Sequence, residues 1–96
     1  MNRAEQLSNF LLRATSDSTL SAIHISLCAA LCSSWIASGF NNPFDISRKR
    51  LMNAARIKSK STYHKIIKDL VDLKYLDYRP SFHPMRGSEV SLIISQ

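Results

Sequence analysis

The first half of the chain carries two runs of apolar residues at helical spacing. The first predicts a helix over residues 3–14, because apolar side chains three and four positions apart share one helix face. Its apolar positions are Leu7, Phe10, Leu11 and Ala14. The second run predicts a longer helix over residues 20–38, with apolar positions at Ile23, Leu27, Cys28, Leu31, Cys32, Trp35 and Ile36. So broad an apolar face predicts the central, most buried helix, with Trp35 inside.

Polar residues and a glycine mark the ends of this second helix. Asp17 or Ser18 is expected to cap its start by accepting backbone N–H bonds. Gly39 is expected to end it, since glycine readily takes the left-handed conformation that follows many helices. Beyond Gly39, the alternation of Phe44 and Ile46 with polar residues predicts a short extended segment.

Two more helices and two strands complete the pattern. Ser47 stands in an N-cap position before a helix over residues 48–55. Its core side is Leu51, Met52 and Ala55. After a short turn, a helix over residues 60–73 has its core side at Tyr63, Ile66, Ile67, Leu70 and Leu73. Alternation predicts strands over 75–79 and 89–94, which a Pro- and Gly-containing loop joins as an antiparallel hairpin. The predicted fold is mainly α with a small β-hairpin.

The last two helices and the hairpin resemble the winged-helix (helix-turn-helix) family of bacterial DNA-binding regulators. Ile57 lies in the turn between the helices. The core positions that follow it are Tyr63, Ile67 and Leu70. In that family the second helix commonly ends in a Gly-Leu-Ile-like step into the wing. Here Lys74 takes the glycine-like position, and Tyr75-Leu76 supplies the apolar pair.

More narrowly, residues 57–65 and 78–88 resemble the small winged-helix proteins of bacterial mobile genetic elements. Such proteins are transcriptional regulators or replication-linked DNA binders. The resemblance covers residues 47–94, half of the chain, with a helix-turn-helix over 47–73 and a wing over 75–94. A chain of 96 residues has room for one domain, so we expect a single winged-helix domain over residues 1–96.

Basic residues are concentrated in the second half of the chain. Residues 48–86 hold eleven basic and three acidic residues, a net charge of +8, within a chain of net charge +6. Residues 1–47 carry a net charge of −1, and the tail after Arg86 another −1. Such segregation favours a polyanionic partner, although a solvated basic face kept for solubility gives the same composition.

The family resemblance implies how these charges meet DNA. The helix over 60–73 would enter the major groove of double-stranded DNA, while the preceding helix crosses the backbone. The wing loop, residues 80–88, would lie on the flanking backbone or in the minor groove. The candidate DNA-binding residues are Arg48, Lys49, Lys58, Ser59, Lys60, Ser61, Thr62, His64, Lys65, Lys68, His83 and Arg86. Arg86 is favoured over His83 in the minor groove, because a narrow minor groove attracts arginine most strongly.

Some candidates also have a purely structural interpretation. Lys65 and Lys68 fit the solvent-facing side of an amphipathic helix, and Ser59 fits a helix N-cap. Asp69 and Asp72 lie on the far half of the same helix, where phosphates would repel them. That end of the helix is therefore expected to point away from DNA.

Neither metal binding nor catalysis is predicted. His24, Cys28 and Cys32 share a helix face, but a structural zinc site needs a full set of Cys or His ligands from more than one element. We therefore expect two buried cysteines, no metal and no cofactor. The chain shows no nucleophile–base pair, glycine-rich phosphate loop or paired carboxylates, so an enzyme is not expected.

The sequence thus predicts sequence-selective binding of double-stranded DNA in transcriptional regulation. One alternative keeps the DNA but assigns an accessory role in replication initiation or recombination. An alternative of another class is a winged helix used for protein–protein contact. The N-terminal helices are a candidate surface through which two copies could pair as a homodimer. Without a long apolar run or a secretory signal, we expect a cytoplasmic protein with no membrane partner.

Overall fold

The structure, a computed structural model, describes residues 2–81 and 87–94. Within these residues the elements are α1 (Arg3–Ser16), α2 (Ala22–Ala37), β1 (Phe44–Ile46), α3 (Arg48–Ala55), α4 (Lys60–Asp72), β2 (Leu76–Arg79) and β3 (Ser88–Leu92). The fold is mainly α with a small antiparallel sheet, an arrangement consistent with a winged helix, so the predicted fold class is confirmed. None of the described helices is long and apolar enough to cross a membrane.

The sheet has one strand more than the predicted hairpin. The hairpin itself is confirmed, since β2 pairs antiparallel with β3 and Tyr78 lies opposite Val90. The extended segment at β1 is a strand that pairs with the other edge of β3, where Phe44 also lies opposite Val90. The backbones of Gly87 and Ile46 approach each other closely at the base of the wing. A Cβ at position 87 would collide with the carbonyl oxygen of Ile46, so the position requires glycine.

α2 is the central helix, and its buried face differs in part from the predicted one. Its buried residues are His24, Leu27, Cys28, Ala30, Leu31, Cys32 and Trp35. The burial of Trp35 is confirmed, since 1% of its surface is exposed. The core positions predicted at Ile23 and Ile36 are wrong, because these side chains are 37% and 46% exposed. α2 has no Asp, Glu, Lys or Arg, and apolar residues occur on all its sides, so its sequence does not reveal which side is buried.

The start of α2 is capped by Ser21, and the prediction of Asp17 or Ser18 is wrong. The backbone N–H of Ser21 donates to His24 Nδ1 at 3.0 Å, and the Ser21 hydroxyl lies 2.7 Å from the same nitrogen. The Asp17 carboxylate instead accepts the Tyr75 hydroxyl at 2.7 Å. Asp17 therefore fixes the turn between α1 and α2 to the start of the sheet.

A Schellman turn ends α2 at the predicted glycine. The backbone N–H of Gly39 donates to the Ile36 carbonyl at 3.0 Å, and that of Phe40 to the Trp35 carbonyl at 2.9 Å. This pair of bonds requires a left-handed residue after the helix. Gly39 supplies it with a φ of 78°.

The same turn ends α3 and α4 without a glycine. Arg56 follows α3 with a φ of 62°, and Lys74 follows α4 with a φ of 67°. After α4, the backbone N–H of Tyr75 closes the turn on the Leu70 carbonyl at 2.9 Å. Lys74 thus adopts the glycine-like conformation that the winged-helix resemblance assigns to its position.

Arg13 fastens α1 to the junction of α4 and β2. Its guanidinium donates to the carbonyls of Leu73 at 2.8 Å and Lys74 at 2.9 Å. It also lies 3.9 Å from the centre of the Tyr75 ring, which Phe10 meets edge-on. The Leu73 side chain is 39% exposed, so its predicted core position is wrong; α4 ends one residue earlier and the chain turns away there. α1 therefore holds the C-terminal end of α4 in place.

Candidate nucleic-acid interface

α3, a turn and α4 form a helix-turn-helix that rests on α2. Ile57, in the turn, is 4% exposed and packs with the buried faces of both helices. The Ser26 hydroxyl of α2 donates to the carbonyl of Ala55, at the end of α3. On α4, the buried residues are Tyr63, Ile66, Ile67 and Leu70. The opposite face of α4 is left to solvent, as the periodicity predicts.

Serines cap both helices of this unit. The Ser47 hydroxyl accepts the Arg50 N–H at 3.3 Å, and the Ser59 hydroxyl accepts the Thr62 N–H at 3.3 Å. The Ser59 hydroxyl also lies 2.8 Å from that of Ser61. The structural interpretation of Ser59 as an N-cap is therefore confirmed, and Ser47 caps α3 as predicted.

Four basic side chains meet where these first turns come together. They border a surface groove of about 460 Å³, which we call the basic groove and which is lined by Arg48, Lys49, Met52, Asn53, Ile57, Lys58 and Lys60. Within residues 2–81 and 87–94, none of its four basic side chains makes a hydrogen bond or ion pair. The side chains of Met52 and Ile57 supply an apolar part of the lining. The groove thus presents uncompensated positive charge around an apolar patch.

The exposed face of α4 divides into a polar first half and a paired second half. Lys65 Nζ lies 3.5 Å from Asp69, and Lys68 Nζ lies 2.8 Å from Asp72. The bond to Asp72 raises the pKa of Lys68 above its ordinary value. Lys65 and Lys68 are exposed, but acids one turn further along offset their charges. Of the three lysines of α4, Lys60 at its start is therefore the one without an acidic partner among the described residues.

The residues between Lys60 and Lys65 have different surroundings. Thr62 is half-buried, whereas Ser61 and His64 are exposed. The His64 ring packs edge-on against Tyr63, with 5.4 Å between ring centres. Burial raises the pKa of the Tyr63 hydroxyl to about 12, so this phenol stays neutral and belongs to the core. Ser61 and His64 are the hydrogen-bonding side chains that α4 presents between the basic groove and its paired lysines.

The far half of α4 is bound to α2 by a histidine. His24 Nδ1 accepts the Ser21 N–H, so the ring proton lies on Nε2, which donates to Asp69 Oδ2 at 2.8 Å. This bond lowers the pKa of Asp69 below its ordinary value. His24 is thereby engaged at both ring nitrogens. In the part of the chain that the structure describes, no three His, Cys, Asp or Glu side chains gather as a metal site.

The structure thus brings together most of the predicted site. Arg48, Lys49, Lys58 and Lys60 share the basic groove, and Ser61, His64, Lys65 and Lys68 share the exposed face of α4. His83 and Arg86 lie outside the described residues. Sequence reasoning missed Asn53 and the apolar lining of the groove, because Met52 and Ile57 look like ordinary core positions.

A second groove lies on the wing side of α4. It has a volume of about 290 Å³ and is lined by His64, Ile67, Lys68, Val71 and Tyr78. The Tyr78 hydroxyl lies 2.9 Å from the Ser88 hydroxyl, which ties β2 to β3 beside this groove. His64 and Lys68 therefore lie next to the wing as well as on the exposed face of α4.

Comparison of the chain with protein-family models, with curated proteins and with solved structures found no significant match.

Proposed function

We propose that this protein binds double-stranded DNA sequence-selectively, with α4 in the major groove and α3 across the backbone. The observation that carries the proposal is the basic groove. Its four basic side chains have no partner among the described residues and lie at the start of both helices. Phosphate contacts from Lys and Arg supply a large share of the affinity in protein–DNA complexes.

The division of α4 supports this orientation. Base edges are read by hydrogen-bonding side chains, and the exposed Ser61 and His64 follow directly on the basic groove. Lys65 can leave its exposed pair with Asp69 at low cost, since exposed ion pairs contribute at most about 1 kcal/mol. Asp69 and Asp72 repel phosphate, so the C-terminal end of α4 points away from the duplex.

The wing completes the proposed interface. His83 and Arg86 would meet the flanking backbone or the minor groove, where Arg86 is the better candidate. The biological role we favour is transcriptional regulation of the kind carried out by small regulators of mobile elements. An accessory role in replication initiation or recombination uses the same contacts.

The test is a binding measurement on selected DNA. A duplex enriched from a random pool is labelled, and its fluorescence anisotropy is titrated with wild-type protein and with Lys60→Gln. Losing a base or phosphate contact at the start of α4 should weaken binding by roughly 1–3 kcal/mol, about 5- to 150-fold.

The matched control is Lys74→Gln, because Lys74 is an exposed lysine at the other end of α4. This variant should bind within about twofold of wild type, a change of less than ~0.5 kcal/mol. Equal losses in both variants would mean that net charge alone attracts DNA. A folded protein that binds no duplex at low salt would end the proposal and favour a protein-contact module.

A further inference from the structure

The outward side of α2 is an uncharged helix face that is exposed apart from Ile25, whose side chain packs partly against the core. We call it the α2 outer face: Ala22, Ile25, Ala29, Ser33 and Ile36. Ile25 is half-buried, Ile36 is 46% exposed and the other three are exposed. Successive helical residues are about 100° apart, so all five fall within an arc of about 80°.

The order of side chains along this face is symmetric. Isoleucines stand at 25 and 36, and the small residues Ala29 and Ser33 lie between them. Reversing α2 about residue 31 exchanges Ala29 with Ser33 and, to within one residue, Ile25 with Ile36. Two such helices laid antiparallel would place each isoleucine against an isoleucine, while the small residues let the backbones approach. A two-fold interface needs this kind of self-complementary surface.

The distribution of charge favours a second copy as the occupant. Residues 48–86 carry a net charge of +8, whereas residues 1–47, which include α2, carry −1. Two copies would repel each other through their basic halves and meet without that cost through α2. The side chain of Arg50 lies only at the margin, where it shares a surface pocket with Ser34 and Ala37.

We propose that two copies of the chain pair through the α2 outer face, with their α2 helices antiparallel about a two-fold axis. The proposal rests on shape and charge around α2 and is independent of DNA binding. A single helix face is a narrow contact, at or below the low end of interface sizes, so we expect dissociation in the micromolar range. In such a dimer the basic grooves are repeated by the two-fold axis, so a palindromic DNA site would match it.

The experiment is sedimentation equilibrium of the full chain, from low micromolar to about 1 mM, at moderate salt. Wild type should change from monomer to dimer over this range. Ile36→Lys should stay monomeric, because it sets a charge into the apolar face. Ala29→Lys should do the same from the middle of the face. Both positions are exposed, so the helical circular dichroism and its melting curve should stay close to those of wild type.

Leu73→Lys is the matched control. Leu73 is 39% exposed, close to Ile36, and it also lies at the C-terminal end of a helix. Ile36→Lys and Leu73→Lys therefore each add one positive charge near the C-terminal, negative end of a helix dipole. The control should dimerise like wild type. A wild type that stays monomeric at 1 mM, or variants that all dimerise, or a control that dissociates like Ile36→Lys, would each overturn the proposal.

Discussion

Replacement of Arg13 by alanine should cost about 2 kcal/mol of unfolding free energy. The side chain donates two hydrogen bonds, to the carbonyls of Leu73 and Lys74, and covers the Tyr75 ring. In a half-buried position each bond contributes about 0.5–1 kcal/mol, and the cation–π contact about 0.5–1 kcal/mol. The bonded carbonyls are the negative end of the α4 dipole, which adds to the attraction of a cation.

Two further variants separate these contributions. Arg13→Lys keeps the charge but cannot donate to both carbonyls in a fixed fork, so it should lose about 1 kcal/mol. Arg3→Ala removes an exposed arginine that lies 5.6 Å from the centre of the Phe40 ring. It should change stability by less than about 0.5 kcal/mol.

Urea unfolding measures these differences, with the fluorescence of Trp35, the one tryptophan of the chain, as the signal. A change of midpoint at constant slope is the expected result. The reasoning is refuted if Arg13→Ala costs less than about 0.5 kcal/mol, or if Arg3→Ala costs as much, because removal of positive charge would then be the whole effect.

Three further predictions concern the fold. Trp35→Ala should cost roughly 3–5 kcal/mol, and a loss below about 1 kcal/mol in urea unfolding would contradict its buried position. Arg56→Gly or Lys74→Gly should raise stability by about 0.5–1 kcal/mol, because each residue is strained in the left-handed region; a loss of stability would contradict this. The hydrogen bond from His24 lowers the pKa of Asp69, so its stabilisation is present above the ordinary carboxyl pKa and lost as pH falls through the lowered one. Asp69→Asn should therefore flatten the decline of stability below about pH 4, and an unchanged pH profile would refute the role of this bond.

Where one side of an element is apolar and the other polar, the sequence predicted its placement well. In α4, Tyr63, Ile66 and Leu70 are buried as their spacing indicates, and charged residues separate them from the exposed face. In α2 apolar residues occur on all sides, so the exposure of Ile23 and Ile36 depended on where the neighbouring elements pack.

Other features depend on backbone geometry or on distant contacts. Neither Arg56 nor Lys74 is a residue type that marks a left-handed turn; the winged-helix resemblance indicated the conformation of Lys74, and nothing in the sequence indicated that of Arg56. The pairing of β1 joins Phe44 to Val90, far along the chain, and local alternation carries no information about that partner.

The pairing of the candidate lysines was within reach of the sequence. Lys65 and Lys68 each have an aspartate four residues later, a spacing that brings opposite charges together on a helix. The basic groove was only partly predictable. Its charged residues could be identified, but their meeting point depends on the angle between α3 and α4.

The salt dependence of DNA binding tests the central claim most directly. If the four basic side chains of the basic groove each neutralise a phosphate, log K should fall against log salt with a slope of about −4. Arg48→Ala should weaken binding to all duplexes alike and flatten this slope by about one unit, whereas Lys74→Gln should leave it unchanged. A slope near zero, or one that Lys74→Gln flattens as much as Arg48→Ala does, would contradict a DNA interface at the basic groove.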